Sequence, residues 1–297
     1  MTIRQKEKND MKLSNNRLYC FAFLLTVTLA ACTPEQRKAW FEPAPKNTQK
    51  VQEEIFDAPD IVGNLGGKPI RASAYVIDGI NYEDTPTAFA KEWKTYNPPP
   101  RTYQSKLKDI WVYFNVDTGQ VRDWRSMEVS KFGEERNMSG TPWVSASMQT
   151  NNAHMNTPEF LDNFLKQALK VKPIRPEDTY VKTSKNQYDL SVYEPLNRQG
   201  QERTDGAFFT DDLFIAWDKD GHVRSYIKCF NREVPNPPCS HMFQIKDKIK
   251  ITVDLYYNRH RLHEWQKMEK QVENIIFDFV KNAELEPNNL SRQNRSK

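Results

Sequence analysis

The sequence predicts an α+β fold of two similar lobes, each an antiparallel sheet packed against a helix. Three observations carry that expectation. First, Asp109-Ile110-Trp111-Val112-Tyr113-Phe114 runs into Asn115-Val116-Asp117-Thr118-Gly119-Gln120-Val121-Arg122, and Asp212-Leu213-Phe214-Ile215-Ala216-Trp217 runs into Asp218-Lys219-Asp220-Gly221-His222-Val223-Arg224. Each is a bulky apolar run, an Asp/Gly turn and a Val-Arg return, which is a β-hairpin signal. Second, a strand and then an amphipathic helix follow each hairpin. Third, the spacing repeats: Gly119 to Gly221 and Val121 to Val223 are both 102 residues apart.

Taken in order, the elements begin with residues 1–31, which have the build of a secretory signal peptide. Lys12 and Arg17 precede the apolar run Leu18–Leu29, and Leu29-Ala30-Ala31-Cys32 is followed by polar Thr33-Pro34-Glu35. That run is too short to cross a hydrocarbon core, which takes about 20 apolar residues. Met1 and Met11 are both acceptable starts. Residues 32–53 read as a tether, with Pro34, Pro43, Pro45, many charges and no periodicity. Residues 54–172 form the first expected lobe. In it Gly63-Asn64-Leu65-Gly66-Gly67 is read as a tight turn before a strand over Lys68–Ile77, since phosphate-cradling loops open helices instead. Trp143–Met148 reads as a strand. Thr157 and Pro158 suit an N-cap and first helical position ahead of the stripe Phe160, Leu161, Phe164, Leu165, Ala168, Leu169. The prolines of Val171–Asp178 end that helix and mark the joint.

Residues 178–283 form the second expected lobe. Ile249–Tyr257 alternates apolar and polar as a strand with one buried face should. Leu262, Trp265, Met268, Val272, Ile275, Ile276 and Phe279 then recur in steps of mostly three and four, an amphipathic helix of about six turns. Residues 284–297, rich in Asn, Ser and Arg, are expected to be a disordered tail.

Charge and cysteine content narrow the function classes. The chain has 43 Lys+Arg and 39 Asp+Glu, but residues 1–31 hold five basic and two acidic side chains, so residues 32–297 carry a net charge of only +1. That balance recommends neither nucleic acid nor an anionic membrane surface as a partner. Cys229 and Cys239 bracket a loop containing Pro235, Pro237 and Pro238. In an exported chain such a pair is expected to form a disulfide, contributing about 2–3 kcal/mol for so short a loop. A zinc site of Cys229, Cys239 and His241 with His260 and His263 is the competing arrangement, though its spacing fits no zinc motif.

No nucleophile elbow, P-loop, HExxH or dinucleotide glycine pattern is present. Ser240, His241 and Asp254 could be assembled into a Ser–His–Asp set, but any chain of this length offers such triples. His154 and His222 fall in expected loops, and Glu134-Glu135 and Asp211-Asp212 are expected to be solvated. No catalytic residue, metal ligand or cofactor is assigned, and the chain is expected not to be an enzyme. The aromatic load divides between core and recognition surface, Tyr and Trp being favoured anchors of protein interfaces.

Two resemblances add to this reading. Leu29-Ala30-Ala31-Cys32 resembles the lipobox of bacterial lipoproteins, in which the cysteine is acylated after cleavage before it. That implies lipid attachment at Cys32 and a protein tethered at the periplasmic face of a membrane. Thr33 after the cysteine resembles lipoproteins passed on to the outer membrane. Val62–Pro69, Pro98-Pro99-Pro100-Arg101-Thr102-Tyr103-Gln104-Ser105-Lys106-Leu107, Pro238-Cys239-Ser240-His241-Met242-Phe243 and Leu262-His263-Glu264-Trp265 resemble a family of proteobacterial lipoproteins associated with type VI secretion. The two-lobed plan is similar to that of immunity proteins against type VI phospholipase effectors. What the resemblance implies is a non-catalytic binder that blocks a lipase-like effector by occlusion. The alternatives are a structural or scaffolding envelope lipoprotein of a secretion apparatus, and after it a periplasmic hydrolase. No partner-binding residue can be named from sequence.

Overall fold

The computed structural model describes residues 58–87, 89–126, 129–150, 157, 159–170, 180–195, 211–231, 234–246 and 248–293, with side chains up to residue 285. The expected signal peptide, the whole tether, Cys32, His154 and the Val171–Asp178 joint lie outside the described residues. Residues 58–297 belong to one compact unit.

A hairpin of β1 (Ile61–Leu65) and β2 (Lys68–Ala72) opens the described chain. Its two-residue turn, Gly66-Gly67, has both φ angles positive, at 56° and 92°, as turns matched to strand twist require. Asn64 Oδ1 accepts from the Gly67 N–H at 2.9 Å. Then come β3 (Gly79–Tyr82), β4 (Leu107–Asn115), α1 (Val129–Asn137), β5 (Trp143–Thr150), α2 (Phe160–Lys170), β6 (Tyr180–Gln187) and β7 (Leu190–Pro195). The chain continues through β8 (Asp211–Trp217), β9 (Val223–Phe230), β10 (Pro238–Ile245), β11 (Ile251–Asn258) and α3 (Trp265–Gln293).

Nine strands make one antiparallel sheet in the order β3-β4-β5-β11-β10-β9-β8-β7-β6. Strand alternation assigns the two faces. On one face Ile110, Val112 and Phe114 of β4, Ala146 and Met148 of β5, Val253 and Leu255 of β11, and Phe243 of β10 are buried with Met268, Val272, Ile275, Ile276 and Phe279 of α3. Fully burying a side chain of this kind contributes roughly 1.5–3 kcal/mol, so the α3 stripe is the main fastener of that face. A smaller cluster sits on the other face, where Leu161 and Leu165 of α2 meet Tyr193, Leu213, Ile215, Val223 and Tyr226.

The fold is the expected antiparallel α+β, but its halves do not stand apart as two lobes. β5 pairs with β11 from Ile251↔Thr150 to Tyr256↔Ser145, which runs both halves into one sheet. The helices are not shared out one per half either: α2, from the first half, packs on β8 and β9 of the second, and α3 covers strands of both. The physical reason is edge pairing. Two separate sheets would leave β5 and β11 with unpaired N–H and C=O groups, which joining them satisfies.

The first hairpin is also shorter than the second. After β4 the return is reduced to the bridge Phe114↔Val121, with the Asn115 N–H bonded to the Gln120 carbonyl at 2.9 Å and the Arg122 N–H to the Tyr113 carbonyl at 2.8 Å. Arg122 is drawn inward, its guanidinium between the rings of Trp124 and Phe132. The strand expected over Lys68–Ile77 ends at Ala72 and gives way to a 3-10 turn, Ala74–Val76. The long helix reaches Gln293, through part of the segment expected to be a disordered tail. Once nucleated by its packed first turns, a helix extends at little cost per residue.

Candidate functional site: the face of the central strands opposite the long helix

Cys229 and Cys239 stand in register on β9 and β10, 4.1 Å apart at Cα, and are joined as a disulfide. The zinc arrangement is thereby dissolved: both thiols are used, His260 and His263 lie in the 3-10 helix Arg259–Glu264, and His241 points elsewhere. Among the described residues no three His, Cys, Asp or Glu side chains converge as a metal site.

The Ser–His–Asp triple does not assemble. Ser240 and His241 are consecutive on β10 and so face opposite ways. Ser240 Oγ donates to Asp254 Oδ1 at 3.1 Å on the face opposite α3. His241 is fully buried under α3, its Nε2 3.0 Å from Glu269 Oε1, which also accepts from Ser225 Oγ at 2.6 Å. Asp212, expected to be solvated, is buried and paired with Arg259 Nη2 at 2.5 Å. Its neighbour Asp211 meets Lys228 at 2.8 Å. Of the glutamates, Glu135 accepts from Trp143 Nε1 at 3.0 Å. His222 Nδ1 sits 2.7 Å from Asp162 Oδ2 at the start of α2, while Asp162 Oδ1 accepts from the Val223 N–H at 2.7 Å.

The sheet face opposite α3 carries a polar and aromatic shelf, in which Trp111 and Tyr256 are exposed while Asp109, Ser147 and Thr252 are buried. Registers place its side chains in rows. One row crosses the strands as Trp111, Ser147, Asp254, Met242; the next as Tyr113, Ser145, Tyr256, Ser240; a third as Asp109, Gln149, Thr252, Gln244. At one edge Phe132 of α1 stacks against Tyr113 and Trp143, with ring centroids 5.0 and 5.1 Å apart. At the other, α2 covers Tyr226 and Ile215. Four strands at about 4.8 Å and three alternate positions at about 3.3 Å per residue give a shelf of roughly 14 by 13 Å. That is the size of an interface centre, well short of the roughly 800 Å² a partner covers in a standard complex.

The aromatic side chains of the shelf are both exposed and fixed. Trp111 is 38% and Tyr256 50% exposed. Trp111 Nε1 donates to Ser147 Oγ at 2.6 Å, and Tyr256 OH to Asp254 Oδ2 at 2.7 Å. Arg136 Nη1 of α1 donates to Tyr113 OH at 3.0 Å. Gly79 lets the indole lie down: a Cβ there would meet Trp111 Cε3 at 2.2 Å. Side chains already held in one geometry lose little entropy when a partner covers them.

Burial raises the Asp254 carboxyl above the usual carboxylate range, against the pull of hydrogen bonds from Tyr256 and Ser240 and of His241 through the sheet. Tyr256 is pushed up to about 12 by burial and by Asp254, so its phenol stays a donor. Nothing in this arrangement activates a nucleophile. What it offers is a rigid, amphipathic surface for recognition.

Sequence reasoning missed Trp111, Tyr113, Ser147, Asp254 and Tyr256 as a group. In Asp109–Phe114 both strand phases are bulky, so alternation does not reveal which aromatics face outward. The signal that could have found them is the pairing of Trp111 and Tyr113 with the serines of Trp143-Val144-Ser145-Ala146-Ser147-Met148, since small polar partners mark the unburied side.

No protein-family model matches the chain, and no match is found among curated proteins. Two solved structures are similar to it. One is Smlt3025, an immunity protein of the Stenotrophomonas maltophilia type IV secretion system, at 17% identity and TM-score 0.43 over 74% of this chain and 92% of that one. The other is FrpD, the iron-regulated outer membrane lipoprotein of Neisseria meningitidis, at 14% identity and TM-score 0.36 over 76% and 94%. At such identities and scores the likeness bears on no residue's role, and the shelf is read from its own chemistry.

Proposed function

We propose that this chain is a lipid-anchored protein of the periplasmic face of a bacterial membrane, the outer membrane, that binds a secreted effector protein through the shelf and blocks it by occlusion. The effector class is lipase-like and delivered by type VI secretion, as the sequence resemblance implies. Residues 1–31 would be removed, Cys32 acylated, and residues 32–53 would hold the body off the lipid. The chain supplies no chemistry of its own.

One observation carries the reading: an exposed Trp111 and Tyr256, each locked by a hydrogen bond, sit centrally on a sheet face whose opposite side is sealed by α3. Exposed aromatics held rigid are the usual anchors of protein interfaces. Anchoring adds to this, because a binder confined to the membrane surface meets a lipid-directed effector at high effective concentration.

The test is co-purification of the full chain with the effector encoded next to it, alongside protection of a deletion strain from its parent. Trp111→Ala with Tyr256→Ala should abolish both capture and protection while leaving the protein folded. Unimpaired capture by that double variant would remove the shelf from the interface. Unchanged processing and fractionation of Cys32→Ser would remove the anchor.

A further inference from the structure

Two shelf carboxylates, Asp109 and Asp254, have no cationic partner among the described residues; Asp109 is buried, and Asp254 is partly open. Asp254 makes no ion pair there. Its neighbours are accounted for: Lys228 is held by Asp211 at 2.8 Å, Arg136 lies at the Tyr113 hydroxyl, and Asp109 accepts from Asn81 Nδ2 at 2.8 Å. On the far side of the sheet His241 faces Glu269. Asp254 receives a hydroxyl donor on each oxygen and a further bond from the His241 backbone N–H, which leaves about one of the four acceptor positions of an ionised carboxylate open.

The indole beside it is placed to complete a binding site. Trp111 Nε1 reaches across to Ser147 Oγ at 2.6 Å, and Ser147 is the residue in register with Asp254 on the next strand. The indole edge and the carboxylate are therefore neighbours about one strand spacing apart, some 5 Å. An aromatic face attracts a cation electrostatically, and the open position on the carboxylate can accept a charge-assisted N–H bond from a guanidinium. A planar guanidinium can do both at once, stacking on the ring while its N–H groups meet the acid. A lysine ammonium, a point charge, gains less from that arrangement.

We infer that Trp111, Asp254 and Tyr256 form a socket for an arginine side chain projected by the protein partner. The socket rests on the proposed reading of the shelf as the interface and names the chemistry of the group at its centre. An acid needed only to fasten Tyr256 has no use for an indole platform and an open acceptor site. Bound guanidinium satisfies both and neutralises a partly buried charge that is otherwise costly to hold.

The experiment uses the full chain with acetyl-Gly-Arg-Gly-amide as probe and its citrulline counterpart as control, read by the Trp111 indole N–H resonance in nuclear magnetic resonance. Trp111→Phe identifies that resonance by its loss. The arginine peptide should move it saturably, in the millimolar range expected of so small a ligand. Citrulline, which keeps the shape but not the charge, should leave it still. In Asp254→Asn, whose persisting indole resonance reports an intact fold, arginine affinity should fall at least tenfold. Equal shifts from both peptides, or an undiminished response in Asp254→Asn, would overturn the socket. Effector capture separates this from the broader reading. If Trp111→Ala with Tyr256→Ala loses the effector while Asp254→Asn keeps it, the interface stands and the socket falls; if none of them loses it, both fall.

Discussion

Gly79→Ala tests the shelf from beneath the Trp111 ring, at a residue with no side chain of its own to meet a partner. The added Cβ would lie 2.2 Å from Trp111 Cε3, 2.9 Å from Cζ3 and 3.3 Å from Cδ2. Carbon atoms pack comfortably at about 3.5–4.0 Å, so the ring must rise by more than an ångström. The Nε1 to Ser147 bond, now 2.6 Å, cannot survive that movement. Losing a hydrogen bond of this kind costs about 1 kcal/mol, and the crowding adds about 1–3 kcal/mol where the ring cannot fully escape. Because the indole is 38% exposed it can lift partly into solvent, so the low end applies and a total near 2 kcal/mol is expected. Urea unfolding should show this as a shifted midpoint with an unchanged slope. The indole N–H resonance should move toward that of solvent-exposed tryptophan, and partner capture should weaken without any interface residue being changed. A variant with wild-type stability and an unmoved indole resonance would refute the account of how Trp111 is held.

Other perturbations read the rest of the framework. Replacing Cys229 and Cys239 together with serine should lower unfolding free energy by about 2–3 kcal/mol, measured by urea titration, with the folded spectrum retained. For the His222–Asp162 pair the sign follows from two opposite shifts. His222 is raised above 6.5 by the Asp162 hydrogen bond and charge. Asp162 is lowered below 3.8, the Val223 N–H and His222 outweighing its burial. The stabilisation therefore fills the window between the two folded values, fading as pH rises through the raised histidine or falls through the depressed aspartate. His222→Gln should lower the melting temperature in mildly acidic buffer and leave it unchanged in alkaline buffer. Equal losses at both would show the pair to be uncharged. Tyr188 and Asp189, joining β6 to β7 at φ 57° and 63°, occupy a turn that prefers Asn-Gly. Replacing them with Asn-Gly should raise stability by about 1 kcal/mol by thermal melting, since the Tyr188 carbonyl that accepts from Trp265 Nε1 is backbone and is kept.

Much of the fold could be read because its faces obey simple periods. The stripe Leu262, Trp265, Met268, Val272, Ile275, Ile276, Phe279 is buried throughout, and Ile251, Val253, Leu255 and Tyr257 alternate inward as their spacing implies. The two Gly-containing turns, at Gly119 and Gly221, both adopt positive φ. What could not be read is which edges meet. β5 and β11 carry no local mark of one another, because a polar outward row such as Thr252, Asp254, Tyr256 suits a solvated strand as well as a partner's neighbour. The polar run Tyr180–Gln187 gave no strand signal because only Tyr180 in it is buried; pairing with β7 alone holds it in the sheet. Nor does composition tell that α2 closes over the half it does not belong to. The shelf shares this invisibility: its chemistry arises only when residues about one hundred positions apart are brought into register.

That central seam governs how the molecule can come into being. Ala146 finds its neighbour Leu255 only after 109 further residues exist, so β4 and β5 wait with a bare flank until nearly the whole polypeptide is available. Chains dominated by such distant pairings acquire structure slowly and expose sticky flanks meanwhile. Shortened products ending before β10 should accumulate as aggregates instead of half-sized bodies, which makes late truncations as damaging as early ones.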